Sequence, residues 1–316
     1  EAFAAMGKNM SDELQLYRMD PVYKIVYDRQ KQLLFSSDLA KMREQLEEIE
    51  PGSFVNFLSY LDISIRNYQL SMKAIIEKNY YKATDFFNLK NLLVLLKVKA
   101  LKNHYQLTKR YFKSEILRTA FTFQNIYVGQ NPYQAAAVFA MLPFLEITEG
   151  VYFPKGGMYA IIDRMLSIAA EHNIDIRTNA PVSAIETGKG KVKGITLKDN
   201  GFHEADIVVS NADLPYVYRE LLPPGKQVKR LNRLKYTCSA VVFHWGMDYS
   251  FPQLDQHNVF VAGDYKESID SVFNGNVYHP RFSFYVHSPV KSDTTAAPEF
   301  QDSLTVIVPI ANMKIS

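Results

Sequence analysis

The sequence predicts a mixed α/β fold, and three observations carry that prediction. Met158, Ile161, Ile162, Met165, Leu166 and Ala169 recur at helical spacing directly after Gly156 and Gly157. Residues 180–187, 191–197 and 205–210 then read as three strands, with Gly188-Lys189-Gly190 and Asp199-Asn200-Gly201 as hairpin turns. Residues 53–145 read as helical, and strand-like runs return after residue 238. On pattern alone, the block from 150 to 222 is a helix packed on a three-stranded meander.

Composition narrows the class. The 316 residues suffice for two domains or one large one, and 47% apolar content with 20 Tyr and 20 Phe implies a packed core. A net charge of +3 argues against the whole chain as a polyanion binder, so no nucleic-acid partner is expected. Cys238 is the only cysteine, which excludes an internal disulfide and a thiolate metal site and fits a reducing, intracellular compartment. The seven His are scattered without HExxH spacing, so no metal is expected. No run reaches the ~20 apolar residues of a spanning helix. Residues 1–10 lack the long apolar core of a signal peptide.

Taken in order, residues 14–27 alternate like a strand around Asp20-Pro21, with residues 33–35 as a partner across a turn at 29–31. Ser36-Ser37-Asp38 reads as a helix cap, followed by a charged helix over 39–49 with Met42, Leu46 and Ile49 on one face; Pro51-Gly52 breaks it. Ser53 is placed to cap a further helix carrying Phe54, Phe57, Leu58, Leu61 and Ile65. Residues 119–129 and 131–145 read as two helices, the second opened by Asn131 as cap and Pro132 at its first position. Ala135, Ala136, Ala137 and Ala140 are small, so another helix or a ligand approaches closely there. Beyond Pro223-Pro224-Gly225, residues 238–247, 259–261, 282–288 and 304–308 read as strands of a mixed sheet, the last continuous and buried.

Residues 86–114 differ from the rest. They contain Lys90, Lys97, Lys99, Lys102, Lys109, Arg110 and Lys113 and no acidic residue, interleaved with large apolar side chains. That composition suits a helix lying in a membrane interface, with Leu92, Leu93, Leu96 and Phe112 toward acyl chains and Lys90, Lys97, Lys99 and Lys102 at headgroup level. Each basic residue adds about 1 kcal/mol near an anionic surface. A core helix with a solvated basic face explains the same residues. Aliphatics on this scale have no role on a phosphate backbone, which argues against nucleic acid.

At the centre, YFPKGG (152–157) sets two glycines at a helix start, where uncovered N–H groups and the helix dipole favour anionic or electron-rich groups. Further on stands ADIVVSNADLPYVYRELLP (205–223). With LYRMDPVYKIVY (16–27), QLEEIEPG (45–52) and TFQNIYVGQNP (122–132), these segments resemble the phytoene desaturase, or carotenoid desaturase, family of flavoproteins. FHWGMDYSFPQLDQHNVFVAGDYKESIDSVF (243–273) resembles its fungal-type branch. The shared order over nearly the whole chain makes the resemblance specific. It implies a Rossmann-like FAD-binding fold whose parts here are a β-meander, a substrate-domain sheet and a helical membrane-associating insertion. The implied domains are 1–52 and 223–316 for the substrate, 53–145 for the membrane and 146–222 for FAD.

The resemblance further implies FAD-dependent dehydrogenation of a C40 polyene such as phytoene at a membrane surface. It places Val182 where backbone groups read the flavin adenine, and Ser210, Asn211 and Ala212 on a crossover beside the cofactor. Pro154, Lys155, Gly156 and Gly157 match the loop near flavin and substrate, Gly156 and Gly157 on the cofactor side and Pro154 and Lys155 on the substrate side. Each is equally well a turn or strand residue, and Asp213 reads better as a helix cap. No catalytic residue is singled out, and a homo-oligomer stays open. The GxGxxG turn that cradles a dinucleotide pyrophosphate is missing, so the chain reads as the middle of a longer protein whose own FAD binding is in doubt. Two other readings stay beside the desaturase: a related flavin oxidase or isomerase of a polyene or retinoid, and a non-catalytic membrane- or lipid-binding fragment.

Overall fold

The computed structural model describes residues 2–27, 31–72, 76–98, 102–199, 201–275 and 280–312. The chain divides into two units, residues 1–164 with 237–316, and residues 165–236.

After short helical turns at Ala2–Ala5 and Met10–Glu13, the first unit runs through β1 (Leu16–Arg18), β2 (Tyr23–Val26) and β3 (Gln32–Phe35), the last two an antiparallel hairpin. Asp38 caps α1 (Leu39–Ile49), its carboxylate accepting the Ala40 and Lys41 N–H groups, and the helix buries Met42 and Leu46 as its spacing predicts. The next helix, α2 (Ser53–Ser71), is entered through Gly52 at φ 82°. Ser53 is not its cap, because its buried Oγ donates to the Leu46 carbonyl at 2.7 Å. Glu47 supplies the capping carboxylate, accepting the Gly52 and Phe54 N–H groups. The stretch expected to form one interface helix is broken. It contains α3 (Leu89–Lys97), capped by Asn88, and a separate turn of helix at His104–Thr108.

Short helical pieces replace the two helices expected over 119–145. They run Glu115–Ala120, then 3-10 turns at Phe123–Val128 and Ala137–Ala140, then α4 (Met141–Thr148). Asn131 folds a turn rather than a helix, its side-chain oxygen accepting the Tyr133 N–H. The small residues serve close backbone approach, since Ala137 N–H donates to the Lys102 carbonyl and His104 N–H to that of Ala135. The strand β4 (Tyr152–Pro154) pairs with β1, and α5 (Tyr159–Glu171) follows the two glycines.

The second unit holds the meander of β5 (Val182–Gly188), β6 (Lys191–Leu197) and β7 (Phe202–Glu204). Its small core is Ile185, Val217 and Leu221. The third strand lies ahead of its expected position at 205–210. The turn returns the chain at once, so that Phe202 pairs Thr196, His203 pairs Ile195 and Glu204 pairs Gly194. Ile207 and Val209, which carry the strand-like alternation, are 80% and 90% exposed.

The first unit closes with β8 (Ser239–Met247), β9 (His257–Phe260), α6 (Tyr265–Asn274), β10 (Phe284–His287) and β11 (Asp302–Ile310). They complete a six-stranded sheet in the order β3-β2-β9-β10-β11-β8, with only the β2–β9 pairing parallel. The expected mixed sheet is thus observed. Ile25, Leu33 and Phe35 from the sheet pack with Met42, Leu46, Phe57, Tyr60, Leu117 and Phe121 in one buried cluster. Full burial of such side chains contributes about 1.5–3 kcal/mol each. Phe112 belongs to this cluster and stacks on Phe121 at 4.8 Å.

Candidate functional site

Sheet register builds a cavity in the first unit. Tyr285 on β10 stands opposite Val259 on β9 and Ile307 on β11, so these three side chains form one row on one face. All three line a cavity of about 840 Å3. Along β11, Leu304 and Val306 enter a buried cluster while Ile307 and Pro309 face the cavity. The run expected to be continuous and buried therefore packs on one face and lines a cavity with the other.

Val22, Phe123, Ile126, Val151 and Phe284 extend the apolar wall. The polar exceptions include Tyr23, Tyr127, Glu146, Cys238, His257 and Tyr285. Tyr23 donates its hydroxyl hydrogen to Glu146 Oε2 at 2.8 Å, and Gln124 Nε2 donates to the same oxygen at 3.3 Å. Burial pushes the Glu146 carboxyl up to about 7, while the bonds from Tyr23 and Gln124 pull it down. His257 shares a 2.6 Å hydrogen bond with the Tyr285 hydroxyl, and burial with His287 nearby lowers it to about 4. The sequence reading missed this group. Its one signal was a lone carboxylate inside the apolar run MLPFLEI over 141–147.

The YFPKGG loop lies on a different, smaller concavity with Phe153, Gly156, Gly157, His287, Asp293 and Thr295 in its wall. Gly156 and Gly157 both take φ 82°. Their N–H groups are engaged: Gly156 donates to Asp293 Oδ2 at 2.6 Å and Gly157 to the Pro154 carbonyl at 3.0 Å. The pair expected to offer two free donors at the helix start offers neither. Pro154 is buried in its pairing with Leu16, Lys155 is exposed with its N–H on the Gln15 carbonyl, and neither lines the 840 Å3 cavity.

In the second unit, the Val182 side chain packs beside Ile185, while Ser210, Asn211 and Ala212 are exposed. Asp213 occupies the cap position before Leu214–Tyr216 without a side-chain capping bond.

The basic segment is rearranged most. Leu89, Leu92, Leu93 and Leu96 form one stripe of α3 and are 73%, 52%, 50% and 56% exposed. Asn91 on the same helix is buried, its amide donating to the Phe86 carbonyl at 2.8 Å. Lys90, Lys97 and Lys102 are exposed. Phe112 leaves the proposed lipid-facing set, since it is 1% exposed in the core. Lys99 lies outside the described residues. Among the described residues no helix is long and apolar enough to cross a membrane, and no cluster of His, Cys, Asp or Glu could hold a metal.

The model of the family described as flavin containing amine oxidoreductase matches residues 1–281, and the chain belongs to that family. FAD is the cofactor this membership assigns. Among curated proteins, the chain is 38% identical over 311 residues to the zeta-carotene-forming phytoene desaturase of Myxococcus xanthus, covering 98% of this chain and 60% of that one. It is 37% identical over 319 residues to a phytoene desaturase of Phycomyces blakesleeanus, covering 99% and 55%. A solved structure from Pyrococcus furiosus shares the fold at TM-score 0.58 and 13% identity, over 95% of this chain and 62% of that one. The chain thus spans little more than half the length of the curated relatives it matches.

Within the first unit, an added Cβ at Gly157 would meet nothing within 4 Å, which leaves room for a flavin group to approach that loop. No GxGxxG occurs in the sequence, so a cradle of that kind for the diphosphate is not among these residues.

Proposed function

We propose that the protein is an FAD-dependent desaturase of a hydrophobic polyene of the phytoene class, working at a membrane surface in carotenoid biosynthesis. One observation carries the reading. A family of flavin oxidoreductases, with relatives named phytoene desaturases, here presents a cavity of about 840 Å3 walled by Val22, Phe123, Val259, Phe284 and Ile307. A hydrocarbon offers no charge to grip, so its binding free energy comes from apolar area, at about 25 cal/mol per Å2. Such a wall supplies that area.

The outward leucine stripe of α3 supports the membrane part. A substrate this apolar dissolves in lipid, and a helix that buries its Asn and exposes four leucines beside Lys90 and Lys97 is built for an interface rather than for water.

The test is product analysis with flavin-loaded protein and phytoene in liposomes. Conjugated products absorbing at longer wavelength are expected. Oxidation of a soluble amine with phytoene left untouched would overturn the reading.

A further inference from the structure

Glu146 is the one carboxylate in the cavity wall among the described residues. Both of its hydrogen bonds fall on Oε2, from Tyr23 and Gln124. Oε1 takes no hydrogen bond among the described residues, and Glu146 lines the cavity.

Desaturation breaks two C–H bonds on adjacent carbons. One hydrogen would depart with its electron pair, as a hydride, for which an oxidised flavin, the cofactor of this family, would be the acceptor. The other departs as a proton, and the electron pair it leaves becomes the second bond of the alkene. We propose that the Glu146 carboxylate is the base that receives this proton, on Oε1. The proposal rests on the polyene reading above and adds a catalytic residue to it.

The surroundings suit a base. A hydrocarbon filling the cavity excludes water, so the proton needs an acceptor inside it. Among the described residues, the side chains facing Glu146 from neighbouring elements carry no positive charge: Tyr23 from β2, Tyr60 from α2, and Gln124 and Tyr127 from the Phe123–Val128 turn. Elsewhere in the wall, Tyr265 comes from α6, Tyr285 from β10 and His257 from β9. His257, lowered to about 4, is uncharged at neutral pH. With no cation to hold it ionised, Glu146 sits up at about 7, where an acceptor is both partly ionised and basic enough to take a proton. Proton return to water then follows product release.

The experiment compares wild-type, Glu146→Gln and Glu146→Asp forms of the full-length holoprotein on phytoene in liposomes. The amide keeps an oxygen for Tyr23 and Gln124, so flavin loading and KM should hold and the fold should not be weakened, while kcat falls about 100-fold or more. The acid limb of the wild-type kcat profile should lie near pH 7 and vanish in the Gln variant. Glu146→Asp should restore part of the rate and the limb. Independently of turnover, infrared titration should show a carboxyl C=O band with a midpoint near 7 that the Gln variant lacks. Wild-type kcat in Glu146→Gln, persistence of its acid limb, or absence of the infrared band would overturn the proton step and leave the polyene reading standing. Should the Gln variant lose flavin or fold, the Asp variant decides, and an unaltered rate and pH profile there overturns the step. Flavin-loaded wild-type protein that converts no polyene overturns both.

Discussion

The Asp293 carboxylate accepts the Gly156 N–H at 2.6 Å across 137 residues of chain. A side chain from the β10–β11 connection thereby fixes the glycine loop that precedes α5. Hydrogen bonds from Thr295 and from Gly156 N–H hold the Asp293 carboxyl below the usual carboxylate range. Asp293→Ala leaves the Gly156 donor without its partner and should cost about 1–3 kcal/mol in urea unfolding. Asp293→Asn, which keeps an acceptor oxygen, should lose less. Equal losses in the two variants would show that the bond does not set the loop.

Two glycines should respond differently to alanine. At Gly157 the Cβ meets no atom within 4 Å, so the cost is the φ of 82° alone, about 1–2 kcal/mol. At Gly194 the Cβ would collide with the His203 carbonyl oxygen, which is backbone of the paired strand. Gly194→Ala should therefore cost at least about 2 kcal/mol more than Gly157→Ala, because β6 and β7 must separate. Urea melts that rank the two variants the other way would contradict the pairing.

Glu146 should make the protein less stable as pH rises. Its folded carboxyl is raised to about 7, whereas an unfolded Glu titrates near 4.3, so the folded state holds the extra proton between those values. The contribution is complete below the unfolded value and is lost as pH climbs to about 7. His104 and His257, both lowered to about 4 by burial, act oppositely, with stability lost as pH falls below their unfolded value. The Gln variant isolates the carboxyl. Relative to wild type it should gain about 2–3 kcal/mol between pH 4.5 and 7.5. A pH-independent difference would mean that Glu146 titrates like an exposed carboxylate.

The stripe on α3 makes a separable prediction. Leu92→Gln with Leu93→Gln and Leu96→Gln should leave unfolding free energy nearly unchanged and sharply reduce co-sedimentation with anionic vesicles. Lys90→Glu with Lys97→Glu should weaken binding most at low salt, since exposed charge is screened within about 10 Å at 0.1 M. Phe112→Ala should do the reverse, costing about 3–5 kcal/mol of stability with no selective effect on sedimentation. If the leucine variants sediment like wild type, the stripe is not the membrane contact.

The 316-residue chain by itself should retain little FAD through desalting, because it carries no GxGxxG cradle for the diphosphate. Stoichiometric flavin absorbance after desalting would show that other residues supply the cradle.

What the sequence determined by itself is what local chemistry dictates. The Asp38 cap, the Met42–Leu46 face, the β5–β6 hairpin and strands β8 to β11 each follow from spacing or turn residues within a few positions. The family, too, was legible in ordered motifs such as YFPKGG. Tertiary structure decided everything that depends on a partner distant in the chain. Gly156 looked like a free donor until Asp293 took its N–H. Phe112 and Leu93 share one apolar–basic pattern, yet Phe121 stacks on the first and nothing covers half of the second. Residues 205–210 alternate like a strand, but ladder register stops at Glu204. Glu146 drew no attention in the sequence; only the fold brings Tyr23 and Gln124, more than 100 and about 20 residues away, onto its carboxylate in a cavity wall. Periodicity reports which face of an element is apolar; long-range contacts alone settle whether that face meets core, cavity or lipid.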